Sequence, residues 1–111
     1  MECPKCHSNM EKVTYEKIEV DRCTQCKGIY FDQFEKNQLL KMKGSEAIDI
    51  GDSKVGEKND DAENVKCPRC SEQMTTMVSS GRRRVSFDCC MNCGGSYFDA
   101  GEFRSLWKPV P

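Results

Sequence analysis

The chain has 111 residues, of which 37% are hydrophobic and 32% charged, and its formal net charge is −1. This balance excludes a strongly basic protein, and so low an apolar content excludes folded units of about 40 residues that rest on a hydrophobic core alone. The nine cysteines must therefore supply stability, through disulfides or through metal.

The chain opens with two Cys-x-x-Cys pairs that are separated by sixteen residues: Cys3, Cys6, Cys23 and Cys26. Four thiolates at this spacing match the tetrahedral coordination of structural zinc. We favour metal over disulfides because the sequence enters the first pair directly after Met1 and Glu2, without an export signal, and because an odd cysteine count is unusual in a disulfide framework. The protein is therefore expected to be cytoplasmic, with reduced thiols.

The stretch between these pairs predicts a short antiparallel hairpin. Apolar residues alternate with polar ones on both sides of a turn at Glu16-Lys17: Val13 and Tyr15 precede it, and Ile18 and Val20 follow. This period of two is typical of strands. A third short strand at 29–31 is expected to complete a small sheet.

Residues 43–64 predict a flexible acidic linker. This stretch holds seven acidic residues against three lysines, with three glycines and few aliphatic residues. Such a composition does not build a core. The expected organisation is a first unit at 1–42, the linker, and a second unit at 65–111.

The second unit repeats the first. It has its own two Cys-x-x-Cys pairs, separated by nineteen residues, and the chain reads CKGIYFDQFE from Cys26 and CGGSYFDAGE from Cys93. The four cysteines of this second set are Cys67, Cys70, Cys90 and Cys93. A shared register outside the cysteines indicates one fold used twice.

The strands of the second unit are expected in the same order. Met77 or Val78 leads to a turn at 79–81, and Val85 and Phe87 alternate into the second pair. A third strand is expected at 96–98. The extra residues of this unit fall at the predicted hairpin tip, which tolerates insertions.

A short helix is expected to close each unit, and both begin with the same device. Asp32 with Glu35, and Asp99 with Glu102, are spaced as an N-cap and an N3 carboxylate, which satisfy free backbone N–H groups. These acids are therefore interpreted as structural. The apolar helix positions are Leu39 and Leu40 in the first unit, and Phe103, Leu106 and Trp107 in the second.

These motifs resemble the transcription factor IIB-type zinc ribbon family. The matching stretches are CPKC with VDRCTQCKGIYFDQFE, and CPRC with SFDCCMNCGGSYFDAGEF. The resemblance implies two tandem zinc ribbons of a small metal-stabilised α+β fold, each a short antiparallel β-sheet with two cysteine knuckles and a C-terminal helix. It implies two zinc ions, one on each set of four cysteines. The chain departs from the family where His7 and Ser71 replace the glycine after the first knuckle, and where Phe34 replaces the tail glycine kept as Gly101.

Four alternatives stay open at this point. The stretch from Cys3 to His7 formally matches the haem attachment pattern C-x-x-C-H, and His7 is also an alternative zinc ligand. The ninth cysteine, Cys89, is a candidate redox sensor or substitute ligand, and otherwise a small, partly buried residue. A thiol oxidoreductase is the one enzymatic alternative, and it requires sulfurs free of metal.

Two functions are compatible with these features. The first is a protein-interaction adaptor, which the family name associates with transcription. The second is a nucleic-acid-binding module that uses the basic hairpin tip Arg82-Arg83-Arg84. Each zinc tetrathiolate adds about two negative charges, which favours a protein partner over a polyanion.

We expect neither enzymatic activity nor insertion into a membrane. The sequence has no Ser/His/Asp set, a zinc ion closed by four sulfurs has no open position, and no apolar run approaches the length of about 18 residues that a span needs. Self-association is a further hypothesis, because the apolar residues of each small unit need cover from the other unit or from a second chain. A chelator is expected to unfold both units, whereas Cys6→Ser is expected to unfold the first and spare the second.

Overall fold

A computed structural model of the chain describes residues 1–32, 48–51, 54, 65–79 and 85–103, with the backbone alone at 79 and 85. The described strands are β1 (Met10–Tyr15), β2 (Ile18–Cys23), β3 (Ile29–Phe31), β4 (Thr75–Ser79), β5 (Val85–Cys89) and β6 (Ser96–Phe98). They form one antiparallel six-stranded sheet in the order β1-β2-β3-β6-β5-β4. Each repeat therefore contributes a three-stranded half, as the sequence predicts.

The first hairpin turns at the predicted residues. Tyr15 pairs with Ile18, and the two residues between them, Glu16 and Lys17, have φ angles of 49° and 74°. Two left-handed residues in a two-residue loop match the twist of the flanking strands. Neither residue is the glycine or asparagine that usually occupies such positions, so this turn stores backbone strain.

The two repeats are joined through their third strands. Strands β3 and β6 pair antiparallel, with Tyr30 directly opposite Tyr97. The expectation of a separate small sheet in each repeat is thereby corrected to one continuous sheet. The physical reason is that each three-stranded half would otherwise leave the backbone N–H and C=O groups of its third strand unpaired at an edge.

The central strands present different side chains to the two faces of the sheet. Tyr30 and Tyr97 lie among the cysteines on one face, whereas the residues that flank them in sequence, such as Phe31 and Phe98, belong to an aromatic cluster on the other. All four of these rings are fully buried. Because successive side chains of a strand point to opposite faces, the tyrosines lie beside the cysteines and the phenylalanines lie in the apolar core.

The aromatic cluster is made by both repeats. Phe31 lies edge-on to Phe98, with ring centroids 5.6 Å apart, and Phe103 packs on Phe31 at 4.9 Å. Phe87 stacks on Phe98 at 4.8 Å. Each repeat therefore covers apolar surface of the other, which is one of the two sources of cover that the sequence suggested.

Part of the predicted linker packs on the sheet. Ile48 is 4% exposed and belongs to the aromatic cluster, and its carbonyl accepts a hydrogen bond from Arg22 Nη1 at 3.0 Å. The Asp49 carboxylate accepts one from the backbone N–H of Gly101 at 2.9 Å. Residues 48–51 are thus anchored to both repeats, which differs from a linker that is flexible throughout.

The predicted C-terminal helices are not part of the described fold. Glu102 and Phe103 have helical backbone, and the Glu102 N–H donates to the Asp99 carbonyl at 3.0 Å. Leu106 and Trp107 lie outside the described residues, as does the whole first predicted helix with Glu35, Leu39 and Leu40. In the part of the chain that the structure describes, no helix is long and apolar enough to cross a membrane.

Candidate metal centres

The first group of cysteines is held by two tight turns that flank the first hairpin. One turn carries Cys3 and Cys6 before β1, and the other carries Cys23 and Cys26 after β2. In each turn a backbone N–H of the second cysteine points at the sulfur of the first, with N···S distances of 3.5 Å for Cys6 and 3.4 Å for Cys26. These N–H groups stabilise negative charge on sulfur.

The four sulfurs of this group are spaced for one tetrahedral metal ion. Cys6 Sγ lies 3.4 Å from Cys23 Sγ, and Cys3 Sγ lies 3.7 Å from Cys26 Sγ. A tetrahedron of Zn–S bonds of about 2.3 Å has edges of about 3.8 Å. These separations exceed the roughly 2.05 Å of a disulfide, so the four cysteines are free thiols in this structure and their spacing fits zinc.

The second group repeats this geometry. Cys70 Sγ lies 3.4 Å from Cys90 Sγ, and Cys67 Sγ lies 3.6 Å from Cys93 Sγ. All ligand atoms of each group lie within 4.8 Å of one another. The structure therefore brings the eight predicted cysteines together as two sets of four, and two zinc ions fit them.

The residue after each knuckle has left-handed backbone. His7 and Ser71 have φ angles of 65° and 66°, and Lys27 and Gly94 have angles of 64° and 82°. Glycine adopts this conformation without steric cost. The departures at His7 and Ser71 are thus accommodated with the backbone that a glycine would take, and the knuckles keep their shape.

Burial and hydrogen bonding give the thiols of each group different pKa values. Contact with the Cys26 thiol lowers the pKa of Cys3, while the same contact and burial raise the pKa of Cys26 to about 12. In the second group burial raises the pKa of Cys90 to about 12. Burial also raises the pKa of Cys93, but the Tyr30 hydroxyl and the Gly95 N–H outweigh it and bring it to about 6. Since thiolates are the ligands, zinc binding displaces the protons that remain.

Two tyrosines that the sequence analysis left out reach the metal centres. The Tyr97 hydroxyl lies 3.2 Å from Cys3 Sγ and 3.4 Å from Cys26 Sγ. The Tyr30 hydroxyl lies 3.5 Å from both Cys67 Sγ and Cys93 Sγ. Burial raises the pKa of each hydroxyl, so both keep their protons and donate. Each tyrosine thus contacts the cysteines of the other repeat, and the Tyr-Phe-Asp sequence shared by the two repeats is the signal that could have identified these positions.

In the first knuckle of each repeat, the residue before the second cysteine binds an aspartate of the other repeat. Lys5 Nζ lies 3.0 Å from Asp99 and 3.1 Å from Asp88, and its side chain is 2% exposed. Arg69 binds Asp32 through two nitrogens, at 2.7 and 2.9 Å, on the surface. The aspartates predicted as helix caps therefore also hold the two repeats together.

The remaining candidate residues are not members of the two cysteine groups. His7 is exposed and contacts Glu2 at 3.4 Å. Cys89, on β5, is partly buried, and its thiol is directed at the Cys90 carbonyl at 4.0 Å. Neither residue belongs to either set of metal ligands. The predicted hairpin tip, Arg82–Arg84, lies outside the described residues.

Comparison with known proteins agrees with this geometry. The family model described as "Transcription factor zinc-finger", a zinc ribbon of the transcription factor IIB type, matches residues 2–42 and 66–109. Each match contains one complete set of four cysteines. No curated protein and no solved structure matches the chain.

Proposed function

Because this chain belongs to the transcription factor zinc-finger family, we propose that it is a non-enzymatic protein-interaction adaptor in which zinc maintains the fold and the sheet binds a protein partner. Four sulfurs close each centre, so the zinc ion has no position for a substrate and its role is structural. The family name suggests that the partner belongs to the transcription machinery. The same proposal places the protein in the cytoplasm, where thiols stay reduced.

The outer strand β4 is the observation that carries this proposal. It is the last strand of the described sheet, and its residues Thr75 to Val78 are all exposed. Met77 is 42% and Val78 47% exposed, and the strand has no charged residue. An uncharged edge strand with exposed apolar side chains pairs readily with an extended segment of another protein.

The opposite edge of the sheet differs in the way that this proposal requires. Strand β1 carries Glu11, which accepts from Arg22 at 3.1 Å, and Lys12, which lies 2.8 Å from Asp21. Charged side chains on an edge strand discourage strand addition. The asymmetry between two otherwise similar edges favours β4 as the binding edge.

The neighbouring residues suggest the chemistry of the partner. Met91, on the second knuckle of the same repeat, is 74% exposed, and methionine adapts to irregular apolar surfaces. Arg82–Arg84 follow β4 in the sequence and favour acidic side chains. The partner segment is therefore proposed to be extended, partly apolar and acidic.

Site-specific crosslinking tests the adaptor proposal. A photoreactive residue at Met77 should crosslink a protein from extracts of the source cells, and excess unlabelled chain should compete with it. The same residue at Lys12, on the charged edge, is the matched control and should give little product. Val78→Lys should abolish the crosslink while two zinc ions are retained. Equal labelling from both edges would contradict the assignment to β4.

Direct nucleic-acid binding is the second candidate, and the basic run of the second repeat is what favours it. Fluorescence anisotropy with random-sequence DNA and RNA tests this candidate directly, because binding to phosphates weakens steeply with salt. Nanomolar binding that falls with salt and disappears in an Arg82–Arg84 triple alanine variant would replace the adaptor proposal.

A further inference from the structure

Tyr30 and Tyr97 lie on the two central strands of the described sheet. They are opposite each other on the two strands that join the repeats, and both are fully buried on the face that holds the cysteines. A buried hydroxyl needs a hydrogen-bond partner. Both hydroxyls contact sulfur: Tyr97 contacts Cys3 and Cys26, and Tyr30 contacts Cys67 and Cys93. The Tyr30 hydroxyl also interacts with the Arg69 side chain.

Each hydroxyl approaches its sulfurs through a gap that a glycine leaves. A Cβ built on Gly28 would lie 1.9 Å from the Tyr97 hydroxyl oxygen, and one built on Gly95 would lie 1.9 Å from that of Tyr30. Both glycines stand two residues after the last cysteine of their own set. Each repeat therefore supplies a gap beside its own metal centre and a tyrosine that fills the gap of the other.

The donor is matched to the charge at the centre. Four thiolates with one divalent zinc ion carry a net charge of about −2 in a largely buried site. The sulfurs of each repeat accept bonds from their own knuckle N–H groups, for example that of Cys26 to Cys23 at 3.4 Å and that of Cys93 to Cys90 at 3.4 Å. The tyrosine hydroxyl adds one donor, which lies within hydrogen-bond distance of the two sulfurs that face the other repeat. Groups that bond to metal ligands in this way tune the metal and orient the ligands.

We propose that Tyr30 and Tyr97 are crossed outer-sphere donors, so that the zinc–thiolate centre of each repeat is completed by a hydroxyl of the other repeat. Zinc binding at the two centres is then coupled, because a centre that loses its metal also loses the surface that receives the partner tyrosine. This changes the expectation for Cys6→Ser, which should weaken metal binding at the second centre as well as abolish it at the first.

Cadmium-113 NMR of the full chain, with both centres filled, tests the crossed assignment. Each resonance is assigned through its coupling to the β protons of the bound cysteines. Tyr97→Phe should shift the resonance that couples to Cys3 and leave the other in place, and Tyr30→Phe should shift only the resonance that couples to Cys67. Tyr15→Phe is the matched control, because Tyr15 packs on the opposite face, and it should shift neither. A shift at the tyrosine's own repeat, or no shift, would overturn the proposal.

Competition with a chromophoric chelator gives the second readout. Loss of an outer-sphere donor should weaken zinc binding at the opposite centre by about 10- to 100-fold. Equal weakening at both centres in both variants would indicate a general packing role and would also overturn the crossed assignment.

If a phenylalanine variant does not fold, the same assignment can be tested by NMR of the cadmium-loaded wild-type protein. Two slowly exchanging hydroxyl protons should each correlate with one cadmium nucleus, that of Tyr97 with the first centre and that of Tyr30 with the second. Correlation of either proton with its own repeat's centre, or of neither with cadmium, would refute the proposal. None of these outcomes depends on which partner the sheet edge binds.

Discussion

Lys5 Nζ lies 3.0 Å from Asp99 Oδ2, and both side chains are 2% exposed, although the two residues belong to different repeats. The equivalent contact in the other direction joins Arg69 to Asp32, whose side chains are 45% and 40% exposed. One interaction thus occurs twice in one molecule, once buried and once in water.

Removal of the buried cation should cost far more stability than removal of the exposed one. Lys5→Met leaves Asp99 and Asp88 without the cation that both bind, and breaking a buried pair costs about 3–5 kcal/mol. Arg69→Met breaks an exposed pair, which costs about 1 kcal/mol or less. Denaturant unfolding of the zinc-loaded variants measures both values. Equal losses of unfolding free energy in the two variants would show that burial does not determine how much each ion pair contributes to stability.

The ion pair between Lys5 and Asp99 should make the free energy of unfolding depend on pH in the alkaline range. Burial lowers the pKa of Lys5, but Asp99 and Asp88 raise it by more, so that its net pKa lies above the ordinary 10.5. A raised pKa stabilises the folded state fully below the unfolded value of 10.5, and this contribution is lost as the pH rises through the folded value. Between wild type and Lys5→Met, the difference in unfolding free energy should therefore be constant from pH 7 to 10 and should shrink above that range. A difference that already shrinks near neutral pH would contradict this account.

The segment at 48–51 should contribute to stability through its first residue. Ile48 is 4% exposed and Ile50 is 56% exposed, so the chain supplies its own matched control two residues away. Ile48→Ala should destabilise the protein by about 2–4 kcal/mol because it leaves a cavity beside the aromatic cluster. Ile50→Ala should change stability by less than about 0.5 kcal/mol. Similar values for both variants in thermal unfolding would mean that the segment is not anchored.

The sequence predicted the local features of this protein well. The spacing of Cys3, Cys6, Cys23 and Cys26 alone determines a knuckle, and alternation around Glu16-Lys17 alone determines a hairpin, because both depend on neighbours in the chain. The pairing of β3 with β6 could not be predicted in this way, since it joins residues about seventy positions apart and three-residue strands carry little periodicity.

The residues that the prediction missed acquire their roles from that pairing. In the sequence, Tyr30 and Tyr97 do not differ from other aromatic residues of β-strands. Only the shared sheet places each of them beside the cysteines of the other repeat. Ile48 lies in an acidic stretch with few aliphatic residues, so composition assigned it to a linker although its side chain is buried in the aromatic cluster. Composition describes the average of a segment, whereas a single buried side chain is sufficient to anchor it.

The strained turn of the first hairpin offers a stabilising substitution. Glu16 and Lys17 both have positive φ, which costs a residue with a Cβ about 1–2 kcal/mol. Replacement of the pair by Asn-Gly, the preferred sequence of such turns, should raise the free energy of unfolding by about 1 kcal/mol or more without a change in zinc content. Glu16→Ala with Lys17→Ala is the control and should give no gain. If both double variants behaved alike, the turn would not be the source of strain.

A double-mutant cycle on Gly28 and Tyr97 tests the close contact between the repeats. Gly28 does not have left-handed backbone, so an alanine there is excluded only by the Tyr97 ring, whose hydroxyl oxygen would lie 1.9 Å from the new Cβ. Tyr97 is fully buried and cannot turn away, and Gly28→Ala should therefore cost about 3 kcal/mol of unfolding free energy through overpacking.

In a Tyr97→Leu background the same substitution should cost much less, because the clashing atoms are gone. In a Tyr30→Leu background it should keep most of its cost, because Tyr30 fills the gap at Gly95 and not the one at Gly28. A cost of Gly28→Ala that is the same in all three backgrounds would show that the tyrosine does not occupy the glycine gap.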